Sequence, residues 1–153
     1  MGKLACTILV IDDEPQIRRF IKAGLELHGY SVRVAENASR GLNAVAEMRP
    51  DLVILDLGLP DMGGPEVLTT IRLWSNVPVI ILSIQVGEDE KVHLLRSGAD
   101  DYLAKPFSLA ELAARCEAAL RRYHKAVDKD SVVRTGPLTV DLASRAVTLN
   151  GQY

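Results

Sequence analysis

The 153-residue chain has no long apolar run, no cysteine cluster, few aromatics and almost no imbalance of charge. No apolar stretch nears the ~18 residues that a membrane-spanning helix needs. Lys3 followed by Leu4–Ile11 imitates a short signal peptide, but Asp12-Asp13-Glu14 ends it without a small-residue cleavage site. Met1-Gly2 is not a myristoylation start, because Cys6 stands where Ser or Thr is required. The two cysteines, Cys6 and Cys116, each sit inside an apolar pattern, which predicts reduced core thiols in a cytoplasmic protein rather than a disulfide framework or a zinc site. His28, His93 and His124 are scattered at no ligand spacing, and Trp74 is the single tryptophan. Lys and Arg number 18 against 20 Asp and Glu, so a net charge of −2 argues against a body that coats nucleic acid or an anionic membrane.

What is present is a set of polar residues placed where apolar runs stop. Thr7–Ile11 runs into Asp12-Asp13-Glu14, Leu52–Leu55 into Asp56, Val79–Leu82 into Ser83, and Tyr102-Leu103-Ala104 into Lys105-Pro106. Short apolar runs alternating with helix-like stretches read as parallel strands buried on both faces. The predicted strands are about Thr7–Ile11, Ser31–Ala35 with Val32 and Val34 inward, Leu52–Asp56, Pro78–Ser83 and Asp101–Ala104. Helices are predicted over about Pro15–His28, Ser39–Met48, a stretch ending near Trp74, Glu88–Ser97, and from Ser108 to Arg121-Arg122. In the first, Ile17, Phe20, Ile21, Leu25 and, less cleanly, Leu27 keep helical spacing; in the last, Leu109, Leu112, Cys116 and Leu120 share a face. Five strands alternating with five helices make a doubly wound α/β domain. The carboxyl ends of its strands share one edge, where ligands bind. Asp12, Asp13, Asp56, Ser83 and Lys105 therefore meet there, although nearly a hundred residues separate the first from the last.

Three carboxylates about 4 Å apart repel by roughly 4 kcal/mol per pair at an effective dielectric near 20, so they need a cation. Their hard oxygens suit Mg²⁺, a carboxylate can carry a phosphoryl group, and Ser83 and Lys105 supply a hydrogen-bond donor and a point charge for it. After about Lys125 the pattern changes. His124–Arg134 reads as a charged linker, Val132–Val140 and Ala146–Leu149 as short strands, and Asn150-Gly151 as a hairpin turn. The expected division is 1–124 for the α/β domain, 125–134 for the linker and 135–153 for the start of a second domain that the chain carries only in part.

These residues resemble the receiver domain of two-component response regulators over about Leu4–Tyr123. The motifs are the acidic pair before a helix, Leu-Asp-Leu-Gly-Leu-Pro-Asp (55–61), Ser83, and Gly-Ala-Asp-Asp-Tyr-Leu-Ala-Lys-Pro-Phe (98–107). The resemblance implies a flavodoxin-like strand order 2-1-3-4-5 and phosphorylation of Asp56 by a sensor histidine kinase. It implies Mg²⁺ held by Asp12, Asp13, Asp56 and the Gly58 carbonyl, phosphate contacts from Ser83 and Lys105, and Tyr102 as an aromatic that swings inward on activation. It further implies a homodimer on phosphorylation through Lys91, Val92, Leu95, Asp101, Glu111, Ala113 and Arg115; Val92 and Leu95 could instead face the core. Segment 135–153 is similar to the opening strands of the winged-helix domain in the OmpR/PhoB class, so DNA would be bound only through a C-terminal domain. Segment 72–83 is similar to regulators of the Kdp potassium-transport operon. One residue departs from the pattern: Ile84 stands where a small residue is usual, and either points away or shields Asp56. A haloacid-dehalogenase-type phosphatase would place a second Asp two residues after the nucleophile, where this chain has Gly58. A stand-alone module signalling by protein contact is the third class considered.

Overall fold

The computed structural model describes residues 6–84 and 87–134, the last ten as backbone only. In chain order the elements are β1 (Thr7–Ile11), α1 (Pro15–Leu27), β2 (Ser31–Ala35), α2 (Ala38–Met48), β3 (Leu52–Asp56), α3 (Gly64–Arg72), β4 (Val79–Ile84), α4 (Glu88–Arg96), β5 (Asp101–Lys105) and α5 (Leu109–Arg134). All neighbouring strands pair in parallel, in the order β2-β1-β3-β4-β5. The strand alternation sorts the apolar side chains into two layers. Ile8, Val10, Leu52, Ile54, Ile80 and Leu82 pack against Ile21 and Leu25 of α1 and Leu112, Cys116 and Leu120 of α5. Leu9, Ile11, Val53, Leu55, Val79 and Ile81 pack against Val45 of α2, Val67, Leu68 and Ile71 of α3 and Leu94 of α4. Each fully buried aliphatic side chain contributes about 1.5–3 kcal/mol, and the two layers together clamp β1 and β3 in the middle of the sheet. Burial pushes the Cys116 thiol up to about 12, as an inert core residue requires.

Four expectations need correction. Helix α5 does not stop at Arg122 but continues to Arg134, through the stretch read as a linker. That stretch lacks periodic apolar residues, yet it holds no Gly or Pro before Gly136 to break the helix. Val132–Arg134 is accordingly helical rather than the start of a strand; the remaining expected strand residues, Ala146–Leu149 and the Asn150-Gly151 turn lie outside the described residues. Phe20 and Leu27 are 48% and 87% exposed: Phe20 lies against Phe107 with ring centroids 6.3 Å apart, and Leu27 is the last residue of α1. Val34 is exposed as well, since β2 is an edge strand and only Val32 and Ala35 meet the cores.

The β3–α3 loop is pinned by an acid whose role has no local sequence signal. Asp61 accepts hydrogen bonds from the N–H groups of Ala38 (2.8 Å) and Ser39 (2.9 Å), while Asn37 Oδ1 accepts from Arg40 N–H at 2.8 Å. Two side chains thus satisfy three of the free donors that open α2. The next turn of the loop depends on Gly64, where a Cβ would come within 2.8 Å of Leu57 Cα, next to Asp56 in the chain. The Ala38 and Ser39 N–H groups hold the Asp61 carboxyl below its ordinary 3.8. Such an acid stabilises the fold above its unfolded value and loses that contribution as pH falls through the folded one. Asp61→Ala should therefore lower the melting temperature at neutral pH, with the gap to wild type closing as the pH falls below 3.8. Parallel thermal melts from neutral to acid pH check this, and a gap independent of pH would refute it.

Candidate functional site

The site begins one residue past β1. Asp12 N–H continues the ladder by donating to Ala35 O at 3.1 Å, which carries a fully buried carboxylate to the strand edge. Asp12 Oδ1 accepts from Glu14 N–H at 2.9 Å, and the Asp12 carbonyl accepts from Arg18 Nη1 at 2.7 Å. Glu14, in extended geometry, precedes Pro15 at the first position of α1, so the helix starts where the acids end. Asp13 is exposed. Asp56 closes the central strand β3 and is buried, as is Ser83 in β4.

Lys105 closes the arrangement. Strands stand about 4.8 Å apart, and β4 lies between β3 and β5, so a group on β5 must cross roughly 10 Å to reach Asp56. Lysine's long stem does so: Nζ lies 3.0 Å from Asp56 Oδ1, 3.5 Å from Asp12 Oδ2 and 3.8 Å from Glu14 Oε1. Burial pulls the ammonium's pKa down, but the hydrogen bond to Asp56 and the charges of Asp56, Asp12 and Glu14 outweigh it and hold the pKa above the ordinary value. The Asp12 pKa is raised too, which for an acid disfavours the charged form. Burial raises its pKa, Asp56 adds to the rise, and the Glu14 N–H and Lys105 only partly offset it.

Carboxylate oxygens of Asp12, Asp13 and Asp56 all lie within 4.8 Å of one another, and Asp12 Oδ2 is buried without a hydrogen bond. A compact set of hard anionic oxygens with one unsatisfied lone-pair site fits a divalent cation of the Mg²⁺ type. Gly58 passes close by, since a Cβ there would lie 3.6 Å from Asp56 Oδ2. Of the five residues predicted from strand ends, Asp12, Asp13, Asp56 and Lys105 do converge, and Ser83 lies buried at the same end of β4, the strand next to β3. A groove of about 890 Å³ lies at the opposite, amino-terminal edge of the sheet, lined by Pro50, Asp51, Trp74, Val77 and Tyr123, and takes no part in this chemistry.

The family is decided by comparison with known proteins. The model of the response regulator receiver domain matches residues 8–117. The chain belongs to the response regulator receiver family. It is 48% identical over 140 residues to the KDP operon transcriptional regulatory protein KdpE of Escherichia coli, covering 92% of this chain and 62% of that protein. Against the phosphate regulon transcriptional regulatory protein PhoB of Pseudomonas aeruginosa the identity is 39% over 149 residues, 95% of this chain and 65% of the relative. These are relatives of the OmpR/PhoB class, and the chain spans under two thirds of their length. The solved receiver domain of the Francisella response regulator 1452 superposes with a TM-score of 0.74 at 35% identity, covering 77% of this chain and 98% of its own. No helix among the described residues is long and apolar enough to cross a membrane.

Within this receiver domain the remaining predicted residues fall out unevenly. Tyr102 is buried and inward, its hydroxyl donating to Ile84 O at 3.2 Å, with Lys91 Nζ 5.6 Å above its ring centroid. The Ile84 side chain is 72% exposed, which leaves it little surface to bury against any neighbour. On α4 the core residue is Leu94; Val92 is half-buried and Leu95 is 38% exposed. Ala113, expected on the exposed dimer patch, is instead 7% exposed and packs into the α1/α5 core, because its position on α5 follows Leu112 toward the sheet. Arg115 binds within its own chain, to Asp101 at 3.0 Å and Glu111 at 3.3 Å.

Sequence reasoning missed Glu14 and Arg18. Glu14 adjoins the acidic pair and was legible as a third acid, whereas Arg18, six residues from Asp12, reaches it only once α1 is built.

Because Asp12 holds its proton more tightly in the fold than its unfolded value of 3.8, stability is lost as pH rises through the folded value. Asp12→Asn removes that penalty and keeps an oxygen for Glu14 N–H. Without divalent cation it should raise the neutral-pH melting temperature. The gain should vanish in acid, and saturating Mg²⁺ should stabilise wild type but not the variant. Melts with and without Mg²⁺ check both halves.

Proposed function

We propose that Asp56 accepts a phosphoryl group from a sensor histidine kinase and that its phosphorylation controls dimerisation and, through a DNA-binding domain, transcription. The observation that carries this reading is the Lys105–Asp56 contact at 3.0 Å, made at a buried strand end beside Asp12 and Asp13. In the transfer an Asp56 carboxylate oxygen attacks phosphorus, the P–N bond to the donor histidine breaks, and the leaving imidazole nitrogen takes a proton from solvent. The Asp12, Asp13 and Asp56 carboxylates with the Gly58 carbonyl would hold Mg²⁺, which when bound neutralises the acids and draws charge from the phosphoryl oxygens. Lys105, already paired with Asp56, keeps a cation beside the carboxylate as it becomes an acyl phosphate, and Ser83 donates to a phosphoryl oxygen. Hydrolysis of that acyl phosphate at the same site resets the domain.

Residues 1–124 form the receiver on this reading, 125–134 a connector that continues α5, and 135–153 the opening of a winged-helix domain. KdpE's name ties that relative to the KDP operon, which supports potassium-transport genes as targets. The activated face comprises Lys91, Val92, Leu95, Asp101, Glu111 and Arg115, and Tyr102 is the aromatic that signals to it. A two-fold axis would use Lys91–Glu111 and Asp101–Arg115 twice each. Arg115 must exchange its partners within the chain for those across the axis. Exposed pairs are worth under about 1 kcal/mol each, so the exchange is cheap and the apolar residues supply most of the affinity.

Incubation with acetyl phosphate and Mg²⁺ should add one phosphate by intact-mass measurement, and Asp56→Asn should add none; full labelling of that variant would overturn the assignment. Sedimentation with beryllofluoride should convert monomer to dimer at tens of micromolar, as fits a weak apolar interface with little ion-pair energy. Arg115→Glu and Glu111→Lys should each weaken that dimer. A chain that stays monomeric, or a dimer indifferent to both reversals, would show that this face is not the interface.

A further inference from the structure

In the acidic turn between β1 and α1, Asp12 makes three hydrogen bonds besides its 3.5 Å ion pair with Lys105, and two of them are backbone or self contacts: Asp12 N–H to Ala35 O, and Glu14 N–H to Asp12 Oδ1. The third is a side chain. Arg18 turns back along α1, past its first turn, to donate from Nη1 to the Asp12 carbonyl at 2.7 Å. That carbonyl belongs to the peptide joining Asp12 to Asp13, so its direction sets how the two acids are presented. A short hydrogen bond from a charged, planar guanidinium is the strong kind. Arg18 is partly buried while its neighbour Arg19 is exposed, so the two arginines have different work.

We infer that Arg18 is a positioning residue for the cation site: it fixes the Asp12–Asp13 peptide so that both carboxylates converge with Asp56. Groups that orient metal ligands without touching the metal commonly matter for affinity. The alternative role, a positive charge near the acids, predicts the opposite sign. Removing a cation from beside a divalent site should tighten Mg²⁺ binding, whereas removing an orienting donor should loosen it.

The inference rests on the proposed Mg²⁺ site, and calorimetric titration of unphosphorylated protein with Mg²⁺ separates the two. Wild type should bind one ion and Asp13→Asn should not. Arg18→Met should weaken binding about tenfold, at the low end for loss of a ligand-orienting partner. Arg18→Lys, which keeps the charge and one donor, should fall between, and Arg19→Met should match wild type. Melts of the metal-free variants accompany the titrations; a fold defect alone would lower the melting temperature without changing affinity in the folded fraction. If wild type binds no Mg²⁺, the site reading falls and this inference with it. If wild type binds and Arg18→Met binds equally or more tightly, or if Arg19→Met weakens binding as much, Arg18 is not a positioning residue. Should Arg18→Met not fold, Arg18→Lys decides alone: weaker binding than wild type supports the role, and unchanged binding overturns it.

Discussion

Three carboxylates at the carboxyl edge of a parallel sheet repel one another, and a lysine reaching across β4 is what lets the fold tolerate them. Lys105 Nζ lies within 3.8 Å of Asp56, Asp12 and Glu14. Asp12 and Asp56 are buried, so their repulsion is poorly screened. One ammonium cannot neutralise three or four acids: they hold Lys105 protonated, while burial first, and the Asp56 charge after it, make Asp12 resist ionising. The surplus negative charge, and an Asp12 Oδ2 buried without a hydrogen bond and met only by the 3.5 Å Lys105 ion pair, give the site its demand for a cation. A site preloaded with strain of this kind trades stability for chemistry.

The scaffold meets that strain with rigidity elsewhere. β1 and β3, which carry the acids, are the central strands and are covered on both faces by aliphatic layers. The loop after Asp56 is fastened to α2 by Asp61, and its return into α3 runs so close to Leu57 that only glycine fits at position 64. On the far side, Arg72 ties α3 to the turn before β5 through the Gly98 carbonyl at 2.8 and 3.0 Å and through Asp100. The strand that delivers Lys105 and Tyr102 is thereby anchored at its start, and both side chains act at or near its end.

The same geometry bears on how a signal would leave the site. Tyr102 is buried, yet it touches both the Ile84 carbonyl and, through its ring face, Lys91 of α4. Ile84 follows Ser83 directly, so a movement of Ser83 toward a phosphoryl group would be felt at the Tyr102 hydroxyl one peptide away. Arg115, Asp101 and Glu111 form an ion-pair cluster within the chain on the neighbouring face, through Arg115 Nη1 and Nη2, while Arg115 Nε is buried without a hydrogen bond.

By itself the sequence determined the alternation of strands and helices, the edge at which Asp12, Asp13, Asp56, Ser83 and Lys105 gather, and the family. Those follow from short-range rules: apolar runs of strand length, turn chemistry, and the parallel topology that puts every strand's carboxyl end on one side. What it left to the tertiary structure were partners chosen by packing. The Arg18 contact with Asp12 and the Asp61 cap on α2, 22 and 23 residues away in the chain, required helices already docked on the sheet. Likewise the burial of Ala113, the exposure of Phe20 and Val34, and the pairing of Arg115 within its own chain depend on which neighbouring element covers a position. Periodicity reports which residues share a face of their own element; it carries no information about how far that face is covered, and coverage is a property of the assembled layers.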